Sequence, residues 1–330
     1  MTRYLITGAT GFVGQRLTRI ILARGHAVIA LARPSARAQA LRRIGAEVID
    51  GDLRTGAGLR AAVAEADRVI HLAALVKART AVDYWAVNRD GSARLARELA
   101  AMAHPPRLVV CSSLAAAGPL SHYGASKLGG ERAVREHADR VQTVVLRPGI
   151  VYGPGEPGLI PALIPMVRSG LVVKAGFGPR RYCLLYVDDL CAALLAAAEL
   201  GTPLSTGDPR AGVYAICDGR SYDWPDICSA LARALGCREP AILPMPMTVI
   251  RTAARLAELA GRLRGGVPAF NSDKTREMSR TRWVCPAEDV DTAVRELGYS
   301  PSTPLHRGLI AAVRAHTPSP ARGRRPRRRS

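Results

Sequence analysis

Gly8-Ala9-Thr10-Gly11-Phe12-Val13-Gly14 follows a short apolar run at residues 4–7 and opens residues 12–24, which have helical spacing and stop at Gly25. Strand, glycine turn and helix in that order predict the start of a dinucleotide-binding sheet. Gly8 permits a tight turn, Gly11 lets a pyrophosphate approach the backbone, and Gly14 lets helix and strand pack closely. The helix N-terminus then presents free N–H groups and a partial positive charge to phosphates. The spacing is G-x-x-G-x-x-G rather than G-x-G-x-x-G, so the flanking strand and helix carry the assignment.

Outward from that turn, residues 27–32, 47–50, 68–73, 108–111 and 143–147 read as further strands with helical segments between them. This alternation predicts an α/β, Rossmann-like, doubly wound parallel sheet. Residues 148–165 hold five prolines and four glycines and read as a loop-rich crossover. Beyond it a strand or loop at 169–181, a helix with aspartate caps at 188–200, a strand at 213–216 and a helix at 224–235 predict a smaller C-terminal α/β substrate lobe. The expected division is a nucleotide-binding domain at 1–150, an interwoven substrate lobe at 151–316 and a disordered, arginine-rich tail at 317–330.

The chain has 330 residues, 48% hydrophobic and 22% charged, which excludes a wholly disordered or collagen-like protein. No apolar stretch reaches the length of a transmembrane helix, and the opening MTRYLITGAT lacks the parts of a signal peptide. A cytoplasmic location is expected, with peripheral membrane contact as its variant. Formal net charge is +20, and the six arginines of residues 322–330 account for only part of it. A basic body attracts nucleic acid, anionic lipid or anionic ligands. Nucleic acid is disfavoured, because no aromatic-interleaved basic motif occurs. The seven cysteines, at 111, 183, 191, 217, 228, 237 and 285, include no C-x-x-C pair. Neither a disulfide framework nor a metal site is expected, and the cysteines read as small buried apolar residues.

The second strand ends Leu31-Ala32-Arg33, where NAD-binding proteins usually carry an acid. A guanidinium there suits a 2′-phosphate, so NADP(H) is expected over NAD(H). Asp52 and Leu53 follow the third strand, where a side chain can meet the adenine. Ala73 and Ala74 follow the fourth, where small residues let the cofactor pass. Tyr123 and Lys127 share one helical face at i, i+4. An ammonium and a positive nicotinamide ring can lower the phenol's pKa and make it a usable acid or base. Ser112 and Ser113 lie ten to eleven residues earlier, and one of these hydroxyls can orient a substrate carbonyl.

TGATGFVG at 7–14, GDL at 51–53, HLAA at 71–74, Asn88, CSS at 111–113, YGASK at 123–127 and RPGIVYGPG at 147–155 resemble the extended short-chain dehydrogenase/reductase family, the NAD-dependent epimerase/dehydratase group. The resemblance continues through YVDDL at 186–190, VYAICDG at 213–219 and LGYSP at 297–301, reaching about residue 312. WVC at 283–285 is most similar to the branch of 3β-hydroxysteroid dehydrogenases and dihydroflavonol-reductase-like enzymes. The resemblance implies that Gly8, Gly11, Phe12 and Gly14 contact pyrophosphate, Arg33 the adenine ribose, and Asp52 and Leu53 the adenine. It implies Tyr123 as acid/base, Lys127 as its modulator and ribose ligand, Ser113 as the catalytic serine, Pro148 beside the nicotinamide and Asn88 beneath the site. Family dehydratases carry Thr-Asp-Glu where this chain has Ser113-Leu114-Ala115, so dehydration is not expected. The Ser113–Tyr123 segment is also shorter than in relatives, which implies an open site.

Val249, Ala253, Leu256, Ala260 and Leu263 form an apolar stripe, with Arg251, Arg255, Glu258 and Arg262 about 200° round the helix. Core packing is the plainer reading of the stripe. A helix lying on anionic membrane is the sharper one. The expected activity interconverts a ketone and a secondary alcohol on a small-molecule, apolar, lipid or sterol-like substrate, by nicotinamide hydride transfer. The enzymatic alternative is a nucleotide-sugar 4-epimerase with bound NAD, for which Arg180 and Arg181 are candidate diphosphate ligands. The non-enzymatic alternative is a cofactor-sensing or assembly protein on the same fold. Oligomeric state is open, with a homodimer in view.

Overall fold

The fold is taken from a computed structural model that describes residues 1–263 and 270–316. The expected tail at 317–330 lies outside the described residues. Six strands and six helices alternate through the first half: β1 (Arg3–Thr7), α1 (Phe12–Ala23), β2 (Ala27–Ala32), α2 (Ala36–Arg43), β3 (Glu47–Asp50), α3 (Leu59–Ala64), β4 (Arg68–His71), α4 (Ala81–Asn88), α5 (Asp90–Ala100), β5 (Arg107–Cys111), α6 (His122–Arg135) and β6 (Thr143–Pro148). A seventh strand, Val213–Ile216, pairs with β6, giving the order 213–216, β6, β5, β4, β1, β2, β3. Every pairing in this sheet is parallel.

Burial on both faces explains the continuous apolar strands. Side chains alternate along β1: Tyr4 and Ile6 enter one core cluster, and Leu5 enters the other. The expected strands at 27–32 and 47–50 fall where read, whereas the one read as 68–73 stops at His71. The chain order reverses between β1 and β4, the point at which doubly wound sheets bind ligands beyond their carboxyl ends.

The second half differs from its expectation in three places. The crossover at 148–165 contains a strand, Ile150–Tyr152, and a helix, Leu159–Arg168. Glu156 accepts the N–H groups of Leu159 and Ile160 at 3.0 and 2.9 Å, which starts the helix. Pro161 falls in the first turn, where no N–H is needed, and burial of Ile160, Leu163, Ile164 and Val167 offsets the bond lost at Pro165. The aspartates read as caps at 188 and 189 lie inside the first turn of Val187–Glu199 and work across the fold. Asp188 pairs with Arg16 at 2.5 Å, and Asp189 accepts the N–H groups of Ser302 and Thr303, each at 3.1 Å.

The third difference is in the helix Met247–Leu263. Its inward face is Ile250 and Ala254, 6% and 0% exposed. The stripe expected to pack inward faces solvent instead, with Val249 44% and Leu256 62% exposed and Ala253 also exposed. This helix carries more apolar residues than one face can hold, so the sequence periodicity selected the wrong subset. The side chains of Arg262 and Leu263 lie outside the described residues.

Candidate active site

Because the main strands are parallel, their carboxyl ends share one edge of the sheet, and the expected site residues gather there. Gly8 follows β1, Arg33 follows β2, Asp52 and Leu53 follow β3, and Ala73 and Ala74 follow β4. Ser113 follows β5 and Pro148 ends β6.

The glycine turn has little room for side chains. Gly8 has φ +77°, and a Cβ there would sit 2.6 Å from the nitrogen of Ala73. A Cβ at Gly14 would meet the Ala9 Cα at 2.6 Å, so helix and strand touch through backbone. Gly11 is the extended N-cap of α1, with no side chain capping the helix. Phe12 turns its ring toward the core. The first-turn N–H groups of α1 therefore point past the end of β1, a geometry that fits a pyrophosphate. Arg33 is exposed, and no hydrogen bond or ion pair engages its guanidinium among the described residues. Asp52 accepts the Arg54 N–H at 2.8 Å, which shapes its own turn, while Leu53 is buried.

Tyr123 and Lys127 lie in the first turns of α6, which Ser121 caps by accepting the Gly124 N–H at 2.9 Å. The two serines are used differently. Ser112 is buried and donates to Glu131, which also receives Arg147 Nε at 3.0 Å. That network ties β5, α6 and β6 together. Ser113 caps the turn Leu114–Ala117 by accepting the Ala115 N–H at 3.1 Å, and its hydroxyl is near enough to the Tyr123 phenol to act on its pKa. Burial raises the Tyr123 pKa, and the nearby Ser113 hydroxyl opposes the rise. Burial lowers the Lys127 pKa, and its ammonium donates to the Cys111 carbonyl at 2.8 Å.

Asn88 is buried at the end of α4 and acts as a pin. It exchanges hydrogen bonds with the Leu75 backbone at 2.8 and 3.0 Å and donates to Ser126 on α6 at 2.9 Å. Beside it, His71 bridges Thr7 at 2.6 Å and Ser92 at 2.9 Å. Burial, followed by the charge of Lys127, pushes the imidazole down to about 3, so it is neutral at physiological pH.

Several contributors had no local signal in the sequence. The helix Ser272–Met278 meets the N-terminus of α6, where Asp273 accepts the N–H groups of His122 at 2.7 Å and Tyr123 at 3.1 Å. Glu277 accepts the Ser121 hydroxyl at 2.9 Å. Asn271, Asp273, Lys274 and Glu277 line a small pocket with Val76, Tyr84 and Tyr123. The rings of Tyr84 and Tyr123 meet edge to face at 6.2 Å. The two arginines considered for a sugar-nucleotide diphosphate are engaged elsewhere. Arg180 is 5% exposed and donates to the carbonyls of Ala175, Met278 and Arg280. Arg181 pairs with Asp223 at 3.2 Å.

A model of the NAD dependent epimerase/dehydratase family matches residues 4–209. Among curated proteins, a ceramide reductase of Caulobacter vibrioides is 34% identical over 282 residues, covering 84% of each chain. A 2-alkyl-3-oxoalkanoate reductase of Stenotrophomonas maltophilia is 28% identical over 331 residues, covering 93% of this chain and 97% of that protein. Among solved structures, UDP-glucuronic acid 4-epimerase of Bacillus cereus in complex with NAD superposes with a TM-score of 0.72 at 21% identity. That match covers 95% of this chain and 98% of the epimerase, and at this identity it speaks for the fold.

Proposed function

Since the chain belongs to the NAD-dependent epimerase/dehydratase family and is an NAD(P)-dependent oxidoreductase, we propose that it is an NADPH-preferring reductase of a long-chain or sterol-like ketone. The observation that carries the reading is the gathering of Ser113, Tyr123 and Lys127 at the carboxyl edge of the sheet, with Ser113 near enough to oppose the rise in the phenol's pKa. A bound reduced nicotinamide supplies hydride to the carbonyl carbon. Ser113 holds the carbonyl oxygen, and Tyr123 gives that oxygen its proton. The phenol, raised by burial, keeps that proton at neutral pH, as an acid in the reductive direction must. Lys127 holds the nicotinamide ribose, the glycine turn and α1 hold the pyrophosphate, and the exposed Arg33 meets a 2′-phosphate. Residues up to about 150 then serve chiefly the cofactor, and the later elements the substrate.

Two observations support a lipid substrate over a sugar nucleotide. Arg180 is buried against backbone carbonyls and Arg181 pairs with Asp223, so the buried Arg180 is not free for a diphosphate. The names of two relatives refer to a ceramide and an oxoalkanoate. Among the described residues no helix is long and apolar enough to cross a membrane. A lipid would instead be met at a surface, through the outward face of the helix Met247–Leu263. There Val249, Leu256 and Leu259 are 44, 62 and 57% exposed, and Arg251 and Arg255 of the same helix are exposed as well. Glu258 of this helix accepts the Ser272 N–H and hydroxyl at 2.7 and 2.8 Å, one residue from the pocket wall at Asn271.

The test is NADPH consumption with a long-chain 3-keto-lipid in mixed micelles and with UDP-glucose alongside. The reading expects turnover of the keto-lipid and none of the sugar nucleotide. Epimerisation of UDP-glucose without ketone reduction would overturn it.

A further inference from the structure

Three cysteines from distant parts of the chain converge behind the catalytic edge. Cys183 joins the strands Arg181–Tyr182 and Leu184–Tyr186, Cys217 follows the strand Val213–Ile216, and Cys285 follows the strand Arg282–Trp283. All three are free thiols, and their sulfurs lie within 4.8 Å of one another. The Sγ atoms of Cys183 and Cys285 are 3.5 Å apart.

The spacing decides between two fates for such a group. A disulfide requires about 2.05 Å between sulfurs. Three sulfurs held by one ion at about 2.3 Å lie roughly 3.5–4 Å from one another. The Cys183–Cys285 pair stands at the second separation, and the Cys217 sulfur lies within 4.8 Å of both. Its backbone is fixed from several sides: Cys183 N–H donates to the Trp283 carbonyl at 2.7 Å, and the Cys217 carbonyl receives the Tyr299 hydroxyl at 3.1 Å. The Gly219 N–H reaches the Cys217 sulfur at 3.4 Å.

Charge then selects the ion. Leu114, Val290 and Trp283 surround the thiols, and Cys183 and Cys217 are 1 and 3% exposed. A monovalent ion on three thiolates leaves two net negative charges, a divalent ion leaves one, and a trivalent ion leaves none. An uncompensated charge in such a setting is strongly disfavoured. The neighbouring Asp218 is already bound to the Tyr222 hydroxyl at 2.6 Å, and no fourth His, Cys, Asp or Glu ligand joins the group among the described residues.

We propose that Cys183, Cys217 and Cys285 form a three-thiolate binding site for a trivalent thiophilic ion of the arsenite class. Arsenous acid reacts with three thiols to give a neutral tris-thiolate and three waters. Three As–O and three S–H bonds break, three As–S and three O–H bonds form, and no oxidant is needed. The half-buried Cys285 provides the approach from solvent. The site abuts the catalytic edge at two points: Leu114 adjoins Ser113, and Gly149, next to Pro148, has its Cβ position 2.7 Å from the Cys183 sulfur. An ion there ties three backbone segments together behind Ser113.

The test uses the reduced full-length chain in oxygen-free buffer with sodium arsenite, read by thiolate-to-arsenic ultraviolet absorption and by native mass. One equivalent is expected to bind, with the mass gain of one arsenic less three protons. Cys217→Ser and Cys285→Ser should lose that tris-thiolate adduct, and Cys237→Ser should keep it. Melting curves identify any variant that fails to fold, and the half-buried position 285 gives the variant that perturbs packing least. An adduct that persists unchanged in folded Cys285→Ser, no retained arsenic, or displacement of arsenite by equimolar Zn2+ would each overturn the proposal.

Discussion

The carboxylate of Asp273 receives the backbone N–H of Tyr123 at 3.1 Å across 150 residues of sequence. An anion at the start of α6 satisfies donors that the helix itself cannot, and it fixes the turn from which the phenol projects. Asp273→Ala should cost about 1–2 kcal/mol, the scale of a lost helix cap. Turnover should fall with it, while Asp273→Asn should recover much of the stability. Thermal melts and initial rates on both variants check this; unchanged melting in Asp273→Ala would count against the capping role.

Tyr123→Phe removes one hydroxyl from the edge-to-face pair with Tyr84 and leaves its packing in place. Turnover should drop at least ~100-fold, the scale of a lost general acid, with NADPH binding retained. Because burial raises the phenol's pKa, ketone reduction should hold steady through neutral pH and decline only in alkali. Alcohol oxidation should rise over the same range. Rates in both directions across pH provide the comparison.

Arg33 is exposed at the end of β2, so NADPH should bind more tightly than NADH, and Arg33→Asp should erase or reverse that order. Fluorescence titration of both nucleotides against both proteins decides it. A native preference for NADH would return Arg33 to an ordinary surface residue.

His71 carries a stability prediction with a definite sign. Its folded pKa of about 3 lies below the ordinary imidazole value of 6.5. Between those limits the unfolded chain takes up a proton that the folded chain refuses. Stability should therefore fall as pH drops from about 6.5 toward about 3. Urea midpoints measured across that range should slope, and His71→Gln should flatten the slope.

Leu256 and Leu259 are largely exposed, so replacing both with Asp should leave the melting temperature nearly unchanged. Sedimentation with anionic vesicles should fall sharply, and salt should weaken the binding of the unaltered chain. Equal sedimentation of the two proteins would remove the lipid-facing role from this helix.

The sequence made the nucleotide half legible because its signals are local. A glycine turn, apolar strands and an i, i+4 Tyr–Lys pair each depend on a few neighbouring residues. Asp273, Glu277 and the cysteine group were hidden because each acts on residues far away in the chain. Proline counting failed at Leu159–Arg168, where Glu156 and four buried side chains outweigh the breakers. Periodicity failed at Met247–Leu263 because it measures how apolar a face is, whereas burial depends on which face meets a neighbour.

The strand Val213–Ile216 lies at the outer edge of the main sheet, beside β6, although it is synthesised well after it. A nascent chain emerging residue by residue must therefore carry β6 with one side unpaired while the helices at 159–168 and 187–199 are still being made. The wait lasts seconds at ordinary elongation rates, long enough for an open edge to find another chain. Cutting the gene after β6 would make that interval permanent. The amino-terminal half expressed alone should be recovered as aggregate, and its solubility should return when a peptide spanning 213–216 is supplied.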